Sequence, residues 1–115
     1  MTYIDAVVCA VPAANKEAFL AHARAIDPIF IEYGALKCVE TWGDDVPEGK
    51  LTDFPRAVQA KDGEVVTLSW IVWPDKATRD AAWAKVMEDP RMKGMEMPYD
   101  GKRMIYGGFQ QMLEI

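Results

Sequence analysis

The chain predicts one α+β domain built in the order strand, helix, strand, strand, helix, strand, and three observations predict it. Short apolar runs of strand composition alternate with two stretches of helical periodicity, Pro and Gly punctuate the junctions, and the strand-like runs are apolar on both faces rather than alternating. With 115 residues, half of them hydrophobic, there is enough chain for a single core, so residues 1–115 read as one domain.

Tyr3 to Val11 is rich in Val, Ile and Ala and stops at Pro12, which predicts the first strand. Asn15 is placed to cap the helix that follows. Phe19, Ala23, Ile26, Phe30 and Tyr33 recur at spacings of four, three, four and three, an apolar stripe that ends at Gly34. Pro28 interrupts that stripe, and a kink or short break is expected near Asp27 because proline lacks an amide donor and crowds the preceding turn. Leu36 to Trp42 predicts the second strand. Gly43 to Pro55, with two glycines and two prolines, predicts a loop ordered by turns, after which Ala57 to Ala60 is expected to resume that strand. Asp62-Gly63 is a hairpin signal, and Glu64 to Trp73 is the most strand-like run of the chain. Pro74 ends it and Asp75 caps a second helix, whose Ala82, Trp83, Val86 and Met87 share a face before Pro90. Arg91 to Asp100 is irregular. Met104 to Leu113 predicts the last strand, with a bulge or a close backbone approach at Gly107-Gly108.

This order is the ferredoxin-like βαββαβ arrangement, a four-stranded antiparallel sheet with both helices on one face. In Val65 to Trp73 only Thr67 and Ser69 are polar, and Tyr3 to Val11 carries one charge, Asp5. Strands apolar on both sides are buried on both sides, yet two helices cover only one face. The economical cover for the other is the same face of a second copy, giving a homodimer across the sheet, a dimeric α+β barrel with room for a small-molecule ligand. A large ligand alone, or a flap formed by Gly43 to Pro55, are the alternatives.

Charge and composition narrow the function. Thirteen Lys plus Arg against eighteen Asp plus Glu leave a net charge of −5, and no stretch concentrates cations as a phosphate-binding face requires, so nucleic acid is a poor partner. Met1 to Pro12 lacks the basic start of a secretory signal, and no apolar run approaches the ~20 residues of a membrane span. Cys9 and Cys38 sit in strand-like runs without CxxC spacing, which predicts two buried free thiols in a reducing compartment and a cytoplasmic location.

Chemistry-bearing residues are sparse. His22 is the only histidine, beside the apolar stripe and expected to be partly exposed, with no orienting partner nearby in sequence. One histidine and two separated cysteines leave no metal-ligand set, there is no Gly-rich phosphate loop, and neither a metal nor a cofactor is expected. No catalytic residue is assigned. The candidate pocket consists of the polar and aromatic side chains set in apolar runs: Asp5, Glu40, Ser69, Trp73, Arg103 and Tyr106. Against it, Glu40 and Arg103 at sheet edges fit ordinary ion pairs, and buried Tyr and Trp are commonly core. Arg56 and Arg91 each follow a proline turn, placing a guanidinium either on an internal carboxylate (Asp44, Asp45 or Asp53) or on an acidic ligand.

The segments Tyr3 to Asp5, Gly43 to Val58 (GDDVPEGKLTDFPRAV), Ser69 to Met95 (SWIVWPDKATRDAAWAKVMEDPRMKGM) and Met97 to Phe109 (MPYDGKRMIYGGF) resemble the YbaA-like bacterial family of unknown function, within the dimeric α+β barrel superfamily. The resemblance spans nearly the whole chain and implies the fold and the dimer, but no reaction. Trp73-Pro74-Asp75-Lys76-Ala77 is also similar to a stretch of small antibiotic-biosynthesis and haem-degrading monooxygenases. The haem-degrading members use a histidine on the next helix, whereas this chain has none from Asp75 to Asp89. The expected function is a dimeric module binding a small apolar or acidic molecule. The alternatives are a cofactor-independent monooxygenase or isomerase, for which at least two of Asp5, Ser69, Trp73, Arg103 and Tyr106 must converge in one pocket, and, further off, an RNA-related role.

Overall fold

The computed structural model describes residues 1–115. It is an α+β structure of four antiparallel strands and three helices: β1 (Tyr3–Pro12), α1 (Lys16–Glu32), β2 (Lys37–Glu40), α2 (Phe54–Ala57), β3 (Glu64–Trp73), α3 (Lys76–Glu88) and β4 (Ile105–Gln110). The strands lie in the order β2-β3-β1-β4, so β1 and β3 form the centre, paired from Tyr3 against Trp73 to Pro12 against Glu64. Their Val and Ile content suits a pleated surface packed on both sides.

Register assigns the two faces, because side chains opposite one another in an antiparallel pair share a face. Tyr3, Asp5, Val7, Cys9 and Val11 face the same way as Thr67, Ser69, Ile71 and Trp73, with Cys38 and Glu40 from β2 and Tyr106 from β4. Both long helices cover this face. Ile29 and Phe30 of α1 and Ala82 and Val86 of α3 close over Trp73, which is fully buried, while Phe19 packs on Cys9 and Val11. The opposite face carries Ile4, Ala6, Val8, Val39, Leu68, Trp70, Val72, Ile105 and Phe109. One end of it is covered by Val58 and Ala60, which pack on Val8, Ala10 and Val66. The remainder is open, with Leu68, Ile105 and Phe109 exposed.

Several local expectations are corrected. No break occurs at Pro28: α1 runs through it, since burial of Ile29 and Phe30 outweighs the one backbone bond that proline removes. Asn15 stands at the N-cap position of that helix, but its side chain does not bond the first turn; its amide donates instead to the Pro98 carbonyl at 3.0 Å. Ala57 to Ala60 does not resume β2. Asp53 instead caps the short α2, accepting from the Arg56 amide at 2.7 Å, and Val58 is driven onto the sheet by burial. The Asp62-Gly63 turn forms, with Gly63 at φ +83°, but it joins that helical segment rather than a strand to β3. Asp75 does cap α3, accepting from the Thr78 amide at 2.7 Å. Of the four residues expected on one buried face of α3, Met87 is exposed.

The two glycines of β4 mark a close approach and not a bulge, because the pairing with β1 runs unbroken from Tyr3–Gln110 to Val8–Ile105. A Cβ on Gly108 would lie 2.5 Å from the Tyr3 hydroxyl and 2.9 Å from Arg79 Nη2. The Arg79 guanidinium is anchored on Asp5 and cannot retreat. Gly108→Ala is therefore expected to cost about 1–3 kcal/mol of stability, read as a lower urea midpoint with unchanged m; an unshifted midpoint would refute the close packing.

Candidate functional site

A cavity of about 700 Å³ opens between the helix-covered face of the sheet and the two long helices. Val7, Cys9, Glu40, Ser69 and Ile71 form its floor, Phe19, His22, Ile26 and Asp27 of α1 one wall, and Trp83 and Met87 of α3 the other. The segment after α3 roofs it with Met92, Met95, Met97 and Tyr99, joined by Met104. Methionines are unbranched and polarisable, so this roof can adapt to an occupant's shape. Ion pairs hold the roof at both ends. Arg91 bridges Asp89 (2.9 Å) and Glu32 (2.7 Å), with the Tyr33 hydroxyl donating to Asp89 at 2.7 Å. Arg103 bridges Glu64 (2.7 Å) and Asp100 (3.1 Å), an arrangement that draws the Glu64 carboxyl down to about 2.

Of the residues anticipated for a pocket, Asp5, Glu40, Ser69 and Tyr106 line this cavity, and Trp73 and Arg103 do not. Strand parity thus brings three of the polar groups that an oxygenase or isomerase would need, Asp5, Ser69 and Tyr106, to one space. That space lies under the chain's own helices rather than against the open sheet face. Asp5 is fully engaged there: it accepts from Trp73 Nε1 at 2.8 Å, Trp83 Nε1 at 2.9 Å and Arg79 Nη2 at 2.7 Å. It is thereby the keystone between β1, β3 and α3. Arg103 serves the roof anchor. Arg56 pairs internally with Glu48 (2.9 Å) and Asp53 (3.5 Å), and Arg91 internally as above, so both guanidinium groups already hold carboxylates.

The polar centre of the cavity holds two carboxyls, Glu40, which the sequence singled out, and Asp27, which it did not. Asp27, on α1, and Glu40, on β2, line the same cavity, and the Ser69 hydroxyl donates to Glu40 at 2.5 Å. Burial first, then the charge and hydrogen bond of Glu40, push Asp27 up to about 7. The same two residues also line a shallower groove between α1 and β2, so the pair stands where the cavity meets the sheet edge. Tyr99 feels both carboxyls and, mainly through burial, is raised to about 12; its phenol therefore stays protonated as a donor. His22 packs edge-on to Tyr99 with centroids 6.1 Å apart, and burial lowers its pKa, which favours the neutral ring. The signal for Asp27 was present: it stands four residues after Ala23 and three before Phe30, on the stripe that faces the sheet.

Both thiols are poor nucleophiles. Cys9 is buried beside the Thr67 hydroxyl, which has no oxygen or nitrogen partner, and burial raises its thiol to about 11; Cys38, half-buried at the edge strand, rises to about 12 for the same reason. No group of three or more His, Cys, Asp or Glu side chains is arranged to hold a metal ion.

Residues 2–101 match the family described as "Protein of unknown function (DUF1428)". The chain is also similar to the "Uncharacterized protein YbaA" of Escherichia coli (strain K12), 53% identical over 116 residues that cover 99% of both chains. The YbaA proteins of Escherichia coli O157:H7 and Shigella flexneri match at the same identity and coverage. No helix is long and apolar enough to cross a membrane.

Proposed function

The chain belongs to the DUF1428 family, whose function is unknown, and from that membership we propose that it is a cytoplasmic homodimer of ferredoxin-like protomers, each binding a small, neutral, largely apolar molecule beneath its helices. The observation that carries the binding reading is the cavity, whose volume falls in the ~300–1,000 Å³ range of small-molecule sites and whose walls are mostly apolar around a few convergent polar groups. An anionic ligand fits poorly. The lining contains three carboxyls, Asp5, Asp27 and Glu40, and its one cation, Arg79, is held by Asp5.

The ferredoxin-like assignment is supported by the strand order β2-β3-β1-β4 with α1 and α3 on one face. The dimer is supported by the face those helices leave open, with Leu68, Trp70, Val72, Ile105 and Phe109 on it; the one charged residue there on the two central strands, Glu64, lies at the end of β3 and is paired with Arg103. Four strands ~4.8 Å apart and about six residues long outline roughly 400 Å² in plan. The polar side chains of this chain's site all lie on the other face, so dimerisation would brace the sheet without blocking the cavity.

A native mass spectrum tests both parts. The expected species is two chains, with added small-molecule mass in material purified without stripping; a bare single chain would overturn both the dimer and the bound ligand. Leu68→Glu combined with Phe109→Glu is expected to give a monomer by light scattering, since a buried unpaired charge at a self-complementary interface costs several kcal/mol per copy. Persistence of the dimer in that variant would place the interface elsewhere.

A further inference from the structure

We propose, resting on the binding reading above, that the cavity selects an uncharged aromatic molecule carrying a hydroxyl group, which accepts a hydrogen bond from Tyr99 and donates one to His22. The hydrogen-bonding capacity left over in the lining carries this. Most polar side chains there are already engaged within the chain: Asp5 with Trp73, Trp83 and Arg79, and Ser69 with Glu40. Asp27 also borders the outer groove between α1 and β2, and Tyr106, 75% exposed, is open to water. His22 and Tyr99 differ from all of these. Both are half-buried, both line the cavity, and neither side chain makes a hydrogen bond within the chain.

The two groups are held as a pair. Tyr99 packs edge-on to His22 (centroids 6.1 Å apart, planes at 89°) and to Phe19 (6.1 Å, 61°), which lies one turn earlier on α1. The carbonyl just before it, of Pro98, is tied to the Asn15 amide at 3.0 Å. A neutral imidazole offers one acceptor nitrogen and a phenol offers one donor hydrogen. A hydroxyl is the smallest group that satisfies both at once. A carbonyl or ether would serve Tyr99 alone and leave the His22 nitrogen unpaired, the kind of mismatch by which polar sites reject analogues. The body of the ligand follows from the rest of the lining. Five of the chain's seven methionines line this one space, together with Phe19, Phe30 and Trp83. Thioether sulfur packs favourably against ring edges, and aromatic walls pair with a further ring, so a flat aromatic body gains contacts that a saturated one lacks.

The test measures equilibrium binding of four probes to the full-length protein by dialysis at neutral pH: 2-naphthol, 2-methoxynaphthalene, naphthalene and decahydro-2-naphthol. The first three share one aromatic body and offer two, one and no hydrogen bonds to the pair. Each step down that series is expected to weaken binding ~5-fold, the worth of one net hydrogen bond. Decahydro-2-naphthol, which keeps the hydroxyl without the aromatic rings, should bind ~5-fold more weakly than 2-naphthol. His22→Phe should make 2-naphthol and 2-methoxynaphthalene bind alike, and Tyr99→Phe should make 2-methoxynaphthalene and naphthalene bind alike. Unchanged naphthalene binding shows that each variant keeps its cavity, and the wild-type series stands without the variants. Naphthalene bound as tightly as 2-naphthol, or variants that keep the full series, would overturn the hydroxyl assignment and leave the binding reading intact. Decahydro-2-naphthol bound as tightly as 2-naphthol would overturn the aromatic body. No binding of any probe up to its solubility limit would overturn both this inference and the reading it rests on.

Discussion

Replacing Asp5 with alanine is expected to remove about 3–5 kcal/mol of folding stability, more than any other single change to a polar side chain here. The carboxylate lies on the central strand β1, is 4% exposed, and is the common acceptor for two indoles and a guanidinium. Alanine would leave the Trp73 and Trp83 N–H groups and the Arg79 cation unpaired. Unpaired buried donors lose their full solvation, and the ion costs more than the neutral groups. Trp73, fully buried, cannot turn to water for a substitute. Asp5→Asn should lose less, since one acceptor oxygen remains for the indoles while Arg79 loses its counter-charge. Urea unfolding of the three proteins measures this; a loss under ~1 kcal/mol in Asp5→Ala would show that α3 is held to the sheet by apolar packing alone.

Asp27→Asn is expected to do the reverse and stabilise the protein above neutral pH. The folded-state value of Asp27 is about 7 against an ordinary 3.8. Between those values the folded chain retains a proton that the unfolded chain has released. Stability from this group is therefore full below 3.8 and lost as pH rises through about 7. Because Asp27 is partly exposed and solvent screens its charge, the gain for Asn at pH 8 should be about 1–2 kcal/mol, well short of the whole shift. At pH 4 the gain should vanish. His22 titrates with the opposite slope, because its lowered value leaves the unfolded chain holding more protons below its ordinary 6.5. Glu64, drawn down to about 2, matters only as pH falls below its ordinary 4.5. The difference between wild type and Asp27→Asn at each pH removes both contributions. A variant less stable than wild type at pH 8 would mean that the Asp27 carboxylate is paired rather than strained.

The elements whose extent depends on local chemistry were legible in sequence. Proline closed β1 and β3, Asp75 began α3, and the four-three spacing of Phe19 to Tyr33 drew out α1. Where long-range burial competed with local preference, burial decided. Pro28 stayed within a helix because Ile29 and Phe30 had a place against Trp73, and Val58 was drawn onto the sheet although its neighbours read as a strand. The site divides along the same line. Asp5, Glu40, Ser69 and Tyr106 could be picked out as polar residues in apolar runs, but their common face follows from a register that runs without a bulge across three strand pairs. A single slip would have sent them to the other side. Asp27 went unnoticed because a lone acid before a proline reads as a helix breaker until the strand opposite supplies Glu40.

By itself, then, the sequence determined what depends on neighbours along the chain and on composition: the order of the main elements, the Asp75 cap and the Asp62-Gly63 turn, the net negative charge, and the excess of apolar strand faces over the helices available to cover them. The tertiary structure alone decided which of those faces holds a cavity, which arginines were already occupied, and that Asp27 and Glu40 line one cavity. Those outcomes depend on pairs of residues 13 to 78 positions apart, whose proximity is set by strand register and helix packing and whose chemistry changes only once they are removed from water together.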